Sequence, residues 1–417
     1  MVTKLQQKQV KQIVKEVGSP VFVYSEETLT ENIERVRRAI SNSDIQHSIC
    51  IYVSYFANSN PHIATILKNE EIGLTLQSVE ENEQLKEYNL LPLPRVISST
   101  HLSRKDLEYF IKENISTNYA TLSNLEDALK RGIKSPSIRV DLSPESNQRH
   151  GIKPEQFSNV KDILKKYAAN LHGIQMYAGT GNDLDVHLRY QIKALECLNY
   201  FLALQEINLG GGFKFDYECK QCHFDWDTYF NELQKNIQKF KIPRHVKFSI
   251  EPGRDILADS GFLIVKVTGK DKIFGRQTHE IFTDGSYVHI PSATIRARQH
   301  KLQFYNSAFK KISEDVSSEK AGFLSGNTTL SSDRLFPGVV YFPSALKEGD
   351  YIILEDVGAY CATQHMDFLN KSPCPEVLIR KNGNLELITE RGRPTDRLRY
   401  VLHSTQRIGG LNENKRF

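Results

Sequence analysis

From about residue 36 to 261 the chain repeats one unit, a short apolar run followed by a segment with helical spacing. No other feature constrains the fold as much. The candidate strands are 50–53, 96–98, 138–141, 172–177, 206–209 and 246–250, separated by helical segments near 61–70, 103–113, 123–131, 154–167, 185–203 and 226–239. Such alternation builds a parallel sheet with helices outside it, because parallel neighbours need a crossover and the crossover helix covers a sheet face. The fold class is therefore α/β. Nearly enough units are present to close a barrel of about eight strands, with an open doubly wound sheet as the rival architecture.

The flanks read differently. Residues 4–17 carry apolar positions at helical spacing and stop at Gly18-Ser19-Pro20, a buried strand is expected over 21–24, and a helix over 26–40. Near Phe262 the runs become short and broken by turn residues: 262–267, 280–283, 339–342, 351–354 and 376–379. Lys381-Asn382-Gly383-Asn384 has the composition of a hairpin turn. With 417 residues the chain exceeds one ordinary core. Two domains are expected: a β/α barrel over 36–261, and a mostly antiparallel β-domain over 1–35 and 262–417 that includes the N-terminal helix.

Composition excludes several function classes. Hydrophobic residues at 39% and charged residues at 25% describe a soluble globular chain. The net charge of +4 is spread without a basic block, so nucleic acid is not an expected partner. No apolar run approaches the ~20 residues that span a bilayer, and residues 1–18 lack the apolar stretch of a signal peptide. Six irregularly spaced cysteines fit a reducing compartment, and the expected location is cytoplasmic.

In a barrel, chemistry sits at the carboxyl ends of the strands. Gly210-Gly211-Gly212-Phe213 follows the apolar run Ile207-Asn208-Leu209. Such a run lets backbone approach an anion and offer N–H groups to it; a tight strand-end turn explains it equally well. Glu251-Pro252-Gly253-Arg254 closes Phe248-Ser249-Ile250. There a carboxylate can hold a protonated ring nitrogen while Gly253 and Arg254 help hold a phosphate, or the two charges form a plain surface ion pair. Tyr360, in Asp356-Val357-Gly358-Ala359-Tyr360, is either a phosphate donor or a packed ring. Cys219-Lys220-Gln221-Cys222-His223 admits a zinc site with Cys361, His365 or Cys374, against the plainer reading of reduced thiols; His62 reads as a packing or capping residue.

In this order and at these separations, the motifs resemble the diaminopimelate, ornithine and arginine decarboxylase family, whose fold is that of alanine racemase. The resemblance runs from about Ser19 to Leu387. Residues 18–24 look like the family's opening strand, and Ala57-Asn58-Ser59-Asn60-Pro61 matches the segment ending its first barrel strand. By resemblance, Gly210, Gly211 and Gly212 are a phosphate-binding loop, Glu251 the partner of the pyridine nitrogen, Tyr360 a late cofactor contact, and Asp333-Arg334 the end of an interface segment. The implied cofactor is pyridoxal phosphate, the implied ligand an amino acid or a phosphorylated compound, and the implied assembly a homodimer. In the family a lysine forms a Schiff base with the cofactor, and the protonated ring takes up the electrons freed by loss of CO₂.

This chain departs from that pattern at five positions. Phe56 stands where the family has its lysine, and no lysine occurs from Ser41 to Leu67. Tyr177 takes the place of the cofactor-stacking histidine, Thr329 of the cysteine contributed across the interface, Leu330 of its acidic neighbour, and Ile290 of an arginine for a substrate carboxylate. The phosphate-holding set survives, a selective pattern unlike random decay. Three readings follow: a protein binding pyridoxal phosphate or a phosphorylated ligand noncovalently, without lysine chemistry; a slow decarboxylase relying on Tyr55, Tyr177 or His150; or a ligand-free, partner-binding dimer.

Overall fold

The computed structural model describes residues 5–143, 151–218, 223–312 and 319–402. Helix α1 (Gln7–Val17) buries Val10 and Ile13 and ends at Gly18, whose φ of 82° suits glycine. Strand β1 (Val21–Ser25) is buried throughout, and helix α2 (Glu26–Asn42) follows, its first turn capped by Ser25.

Eight parallel strands then close a barrel: β2 (Ile49–Ser54), β3 (Gly73–Leu76), β4 (Arg95–Ile97), β5 (Ser116–Tyr119), β6 (Ser137–Val140), β7 (Gly173–Met176), β8 (Glu206–Asn208) and β9 (Lys247–Ile250). The ring shuts where Ile49 pairs with Phe248 and Ile51 with Ile250. Most outer helices begin at a polar cap; Asn60, Ser78, Ser103, Thr121 and Asp225 each accept a backbone N–H of the first turn. Helix α2 packs against the helix Trp226–Lys239, so it belongs to the outer ring although it precedes the first barrel strand.

Two barrel strands, β3 and β5, lie outside the expected set: β3 is a four-residue run alternating Leu74 and Leu76 with Gly73 and Thr75, and β5 reads Ser-Thr-Asn-Tyr. The helix expected over 185–203 stops at Glu196 and passes into a tight turn at Cys197–Asn199. That turn brings Phe201 back onto Phe157, ring centroids 5.0 Å apart.

The second sheet has nine strands: β1, β10 (Gly261–Lys272), β11 (His279–Thr283), β12 (Leu302–Tyr305), β13 (Glu319–Ser325), β14 (Val340–Pro343), β15 (Tyr351–Glu355), β16 (Glu376–Ile379) and β17 (Leu385–Thr389). It is antiparallel except where β1 meets β16 and β11 meets β13. Strand β10 is its spine, pairing with β1, β11 and β15. Strands β16 and β17 form the expected hairpin, with the Gly383 amide donating to the Arg380 carbonyl at 2.8 Å.

Two junctions set this sheet against the barrel mouth. The chain leaves β9 through Glu251-Pro252-Gly253 and the short helix Arg254–Leu257 directly into β10. After β15, the Tyr360 amide donates to the Ala57 carbonyl at 2.7 Å, joining the end of the first barrel strand. No helix among the described residues is long and apolar enough to cross a membrane.

Candidate functional site

At the carboxyl ends of the barrel strands lies a cavity of about 450 Å³. Its walls come from nearly every turn of the barrel: Ser54 and Phe56 after β2, Gln77 after β3, Thr100 after β4, Arg139 from β6, Gln175 and Tyr177 from β7, Gly211 to Phe213 after β8, and Glu251, Gly253 and Arg254 after β9. Tyr360 reaches in from the second sheet. Of the residues singled out in the sequence, Phe56, Tyr177, Gly211, Gly212, Glu251, Gly253, Arg254 and Tyr360 all face this one space. Gly210 adjoins it, its carbonyl accepting the Glu251 amide at 2.7 Å.

Glu251 is the most buried charge-bearing group in the wall, 4% exposed. One carboxylate oxygen accepts from Asn208 at 2.7 Å and the other from Gln175 at 3.4 Å. Burial pushes its pKa up to about 7, while the nearby Arg139 guanidinium pulls it back. Arg139 is itself buried and lies over the Tyr177 ring, 5.3 Å from its centroid. Sequence reading passed over Arg139. Its signal was a lone cation inside the otherwise apolar run Ile138-Arg139-Val140, a position that demands a buried partner.

The glycine loop has two reasons to be glycine. A Cβ on Gly212, at φ 93°, would lie 1.8 Å from the Gly179 carbonyl oxygen, and one on Gly211 would lie 2.4 Å from that of Glu251. Backbone crossing alone therefore forbids side chains here, as the turn reading held. The Asn208 side chain accepts the Gly210 amide at 2.8 Å, and the next two amides have no protein acceptor among the described residues. Both residues line the cavity, so these amides are the donors that the anion reading needs. Beneath the loop, His187 stacks on Phe213 at 4.3 Å, and burial holds its pKa down to about 4.

Arg254 closes the same end. Its guanidinium lies 4.7 Å from the Tyr360 ring centroid and donates to the Tyr217 hydroxyl at 3.1 Å. Tyr360 has a φ of 59°, an uncommon backbone conformation for a tyrosine. Thr180, also overlooked, lines the cavity with its hydroxyl on that of Tyr177. Phe56 sits on a tight turn, Tyr55–Ala57, and no lysine lines the cavity among the described residues.

Other singled-out residues lie elsewhere. The buried Asp333 carboxylate accepts the Tyr287 and Thr328 amides at 2.8 and 2.9 Å, and Arg334 pairs with Glu280. These contacts knit loops of the second sheet. Thr329 and Leu330 are exposed, and Ile290 is buried without lining the cavity. Tyr55 is turned away, its hydroxyl on Ser59 and Gln84. His150, Cys219 and Cys222 fall outside the described residues. Among those described, no three His, Cys, Asp or Glu side chains converge as a metal site. The Asn60 side chain caps the His62 helix, while the His62 ring packs edge-on to Tyr88 at 6.5 Å.

Comparison with known proteins agrees with this architecture. Diaminopimelate decarboxylase of Escherichia coli strain K12 is 27% identical over 417 residues, spanning 90% of this chain and 92% of that protein. The L-glutamyl-[BtrI acyl-carrier protein] decarboxylase of Niallia circulans is 22% identical, spanning 94% and 96%. Among solved structures, diaminopimelate decarboxylase from M. jannaschii in complex with L-lysine superposes with a TM-score of 0.83 at 20% identity, covering 94% of each chain. That likeness establishes the fold, a parallel barrel with a mostly antiparallel sheet domain. The model of the pyridoxal-dependent decarboxylase pyridoxal-binding domain matches residues 28–258, more than half the chain. This chain belongs to the pyridoxal-dependent decarboxylase family.

Proposed function

We propose that the chain binds pyridoxal phosphate, or a ligand of the same ring-and-phosphate shape, in the barrel mouth without a covalent link to the protein. The observation that carries this is Phe56. It lines the cavity at the position where the resemblance puts the family's lysine, while Glu251, Arg254, Gly211, Gly212 and Tyr360 surround the same space.

The residues present suit the cofactor at both ends. Glu251, buried and close to half-ionised near neutrality, accepts a proton-bearing ring nitrogen and becomes a full carboxylate on doing so. The two glycine amides, Arg254 and the Tyr360 hydroxyl offer donors to a phosphate. A volume of about 450 Å³ lies within the usual range for small-ligand sites. What is missing is the amine: phenylalanine has no group to condense with an aldehyde. Bound there, the cofactor supplies an electron sink for bonds broken at an amino-acid α-carbon. Around it Glu251 keeps the ring nitrogen protonated, Arg139 moderates Glu251, and Phe56 shields the site from water.

A decarboxylase acting on an amino acid with loosely held cofactor is the second reading, favoured by the retained Glu251. Without the lysine it forfeits acid–base help typically worth ~10²–10⁴-fold; of Tyr55, Tyr177 and His150, Tyr177 is the one on the described wall to restore part of it. We further assign a two-fold homodimer, in which the exposed Thr329–Leu330 loop contributes across the interface, and a cytoplasmic location. The ligand-free, partner-binding dimer is the weakest reading, because an interaction module has no use for a buried Glu251 aimed into a cavity.

Absorbance titration with pyridoxal phosphate, followed by gel filtration and by borohydride reduction with mass spectrometry, tests the proposal. Saturable spectral change, recovery of colourless protein after filtration and no stoichiometric pyridoxyl adduct in the cavity are expected. A stoichiometric adduct on a lysine of the cavity, as distinct from scattered labelling of exposed lysines, would overturn it.

A further inference from the structure

Two guanidinium groups share one tyrosine beside the cavity. Arg254 donates to the Tyr217 hydroxyl at 3.1 Å, and Arg298 lies over the Tyr217 ring, 4.9 Å from its centroid. Neither arginine forms an ion pair among the described residues. The groups in direct contact with the pair, Tyr217, Tyr360, Cys361 and His300, are neutral near pH 7; Arg296 adds a further positive charge near Arg298, while Glu251 on the same wall and Asp255 next in the chain are the nearby carboxylates. Burial pushes the Tyr360 phenol up to about 12 and the Cys361 thiol to about 11. It holds His300, edge-on to Tyr217 at 5.3 Å, down to about 4. Arg298 is half-buried, and burial first, then the neighbouring Arg254, lower its pKa. Two neighbouring cations in such a setting repel each other, with only aromatic faces to offset the repulsion. An anion bound at Arg254 removes the penalty, and a doubly charged one does so best.

Resting on the noncovalent reading above, we propose that Arg298 is the second cation of the anion-binding end, making the site select a phosphate dianion over a carboxylate or a neutral group. Arg298 belongs to the stretch Ile295-Arg296-Ala297-Arg298 that follows the helix Pro291–Ile295, and it carries no motif seen from the sequence. Its role fits the change at Phe56. A chain without a covalent tether retains its ligand through noncovalent contacts alone, so a second cation gains value.

The test compares pyridoxal phosphate with pyridoxal, which lacks the phosphate, by fluorescence titration on wild type, Arg298→Gln and Arg298→Lys, with near-ultraviolet circular dichroism as the control for folding. Wild type should prefer pyridoxal phosphate by at least about 100-fold. Arg298→Gln should weaken pyridoxal phosphate about 10-fold or more and leave pyridoxal unchanged, and Arg298→Lys, which keeps the charge, should recover part of the loss. Equal weakening of both ligands, or none, overturns the role of Arg298 while leaving noncovalent binding intact. Wild type that binds neither pyridoxal phosphate nor inorganic phosphate overturns both. Should Arg298→Gln fail to fold, Arg298→Met takes its place with the same expectation: selective weakening of pyridoxal phosphate supports the role of Arg298, and equal weakening of both ligands, or none, overturns it.

Discussion

The Phe56 ring lies 6.2 Å from the Tyr360 ring, centroid to centroid, where the end of the first barrel strand meets the loop after β15. Arg254 stacks on the other partner of that pair, Tyr360. An amine placed at residue 56 would therefore stand beside the anion end of the cavity. Phe56→Lys should let the chain capture pyridoxal phosphate covalently, seen as a new absorbance band and, after borohydride, as a pyridoxyl adduct on the peptide carrying residue 56. Decarboxylation need not return with it, because Thr329 and Leu330 still differ from the family pattern. Absence of both band and adduct would mean that the cavity no longer accepts the cofactor.

Two glycines of the cavity wall, Gly212 after β8 and Gly253 after β9, separate folding from binding. Gly212→Ala puts a methyl 1.8 Å from the Gly179 oxygen at a φ of 93°, so the backbone itself must shift. A loss of about 1–3 kcal/mol or more is expected, read as a lower melting temperature, together with loss of ligand. Gly253 has a negative φ of −113°, and its added methyl meets side-chain atoms of Ser54, Ala57 and Tyr360 at 3.1 to 3.3 Å. Gly253→Ala should cost within about 1 kcal/mol of stability yet weaken pyridoxal phosphate, because its methyl enters the cavity. If Gly253→Ala binds pyridoxal phosphate as tightly as wild type, Gly253 serves the packing of the strand end and not the ligand.

Much of this was legible in the chain itself, and the omissions have physical causes. Strands β6 to β9 announce themselves as apolar runs, but β5 reads Ser-Thr-Asn-Tyr. Thr117 and Asn118 are buried with their hydrogen bonds met by the Ile115 carbonyl and the Ser98 hydroxyl, so hydrophobic period cannot mark that strand. Arg139 was missed because its partner Glu251 is distant in sequence, and a single cation in a strand points to no particular neighbour. Tyr360 converges with Gly211 only through the closure of one sheet against another, which local pattern does not contain. The resemblance supplied that link. Arg298 had neither a local signal nor a family one, and only the fold brings it to Tyr217.

Behind Arg254, His223 bridges two buried carboxylates, Asp255 at 3.1 Å and Asp259 at 3.0 Å, while Arg35 reaches Asp255 from α2 at 2.8 Å. Burial opposes the imidazolium, but the hydrogen bonds to Asp255 and Asp259 outweigh it and raise the His223 pKa to about 9. A raised folded-state value means that the stabilisation is complete below the ordinary histidine value of about 6.5 and fades as pH rises through 9. His223→Asn should remove that alkaline loss and lower stability at pH 7 by about 3–5 kcal/mol, since two buried carboxylates lose their shared partner. Chemical denaturation at pH 6, 8 and 10 checks both. A wild-type profile that is flat from 6 to 10 rules out the charged bridge.

Glu251 gives the pH dependence of opposite origin. Its folded-state pKa, about 7, lies above the ordinary value of 4.5 because burial penalises the carboxylate more than Arg139, Asn208 and Gln175 favour it. The protonated form is the stable one in the empty cavity, so its contribution is whole below about pH 4.5 and is lost as pH climbs through 7. The loss is on the order of 3 kcal/mol over that window. Glu251→Gln, neutral at every pH, should flatten this limb and leave the ligand-free protein more stable than wild type at pH 8. Binding reverses the preference. A proton-bearing ring nitrogen set against Glu251 favours the ionised carboxylate, so wild type saturated with pyridoxal phosphate should lose far less stability between pH 5 and 8. Glu251→Gln should also bind the cofactor about 10-fold or more weakly, having no charge to hold the ring proton. Thermal melts of both proteins at pH 5, 6.5 and 8, with and without pyridoxal phosphate, supply the comparison. Identical pH profiles for the empty and the saturated wild type would show that the ring nitrogen does not sit on Glu251.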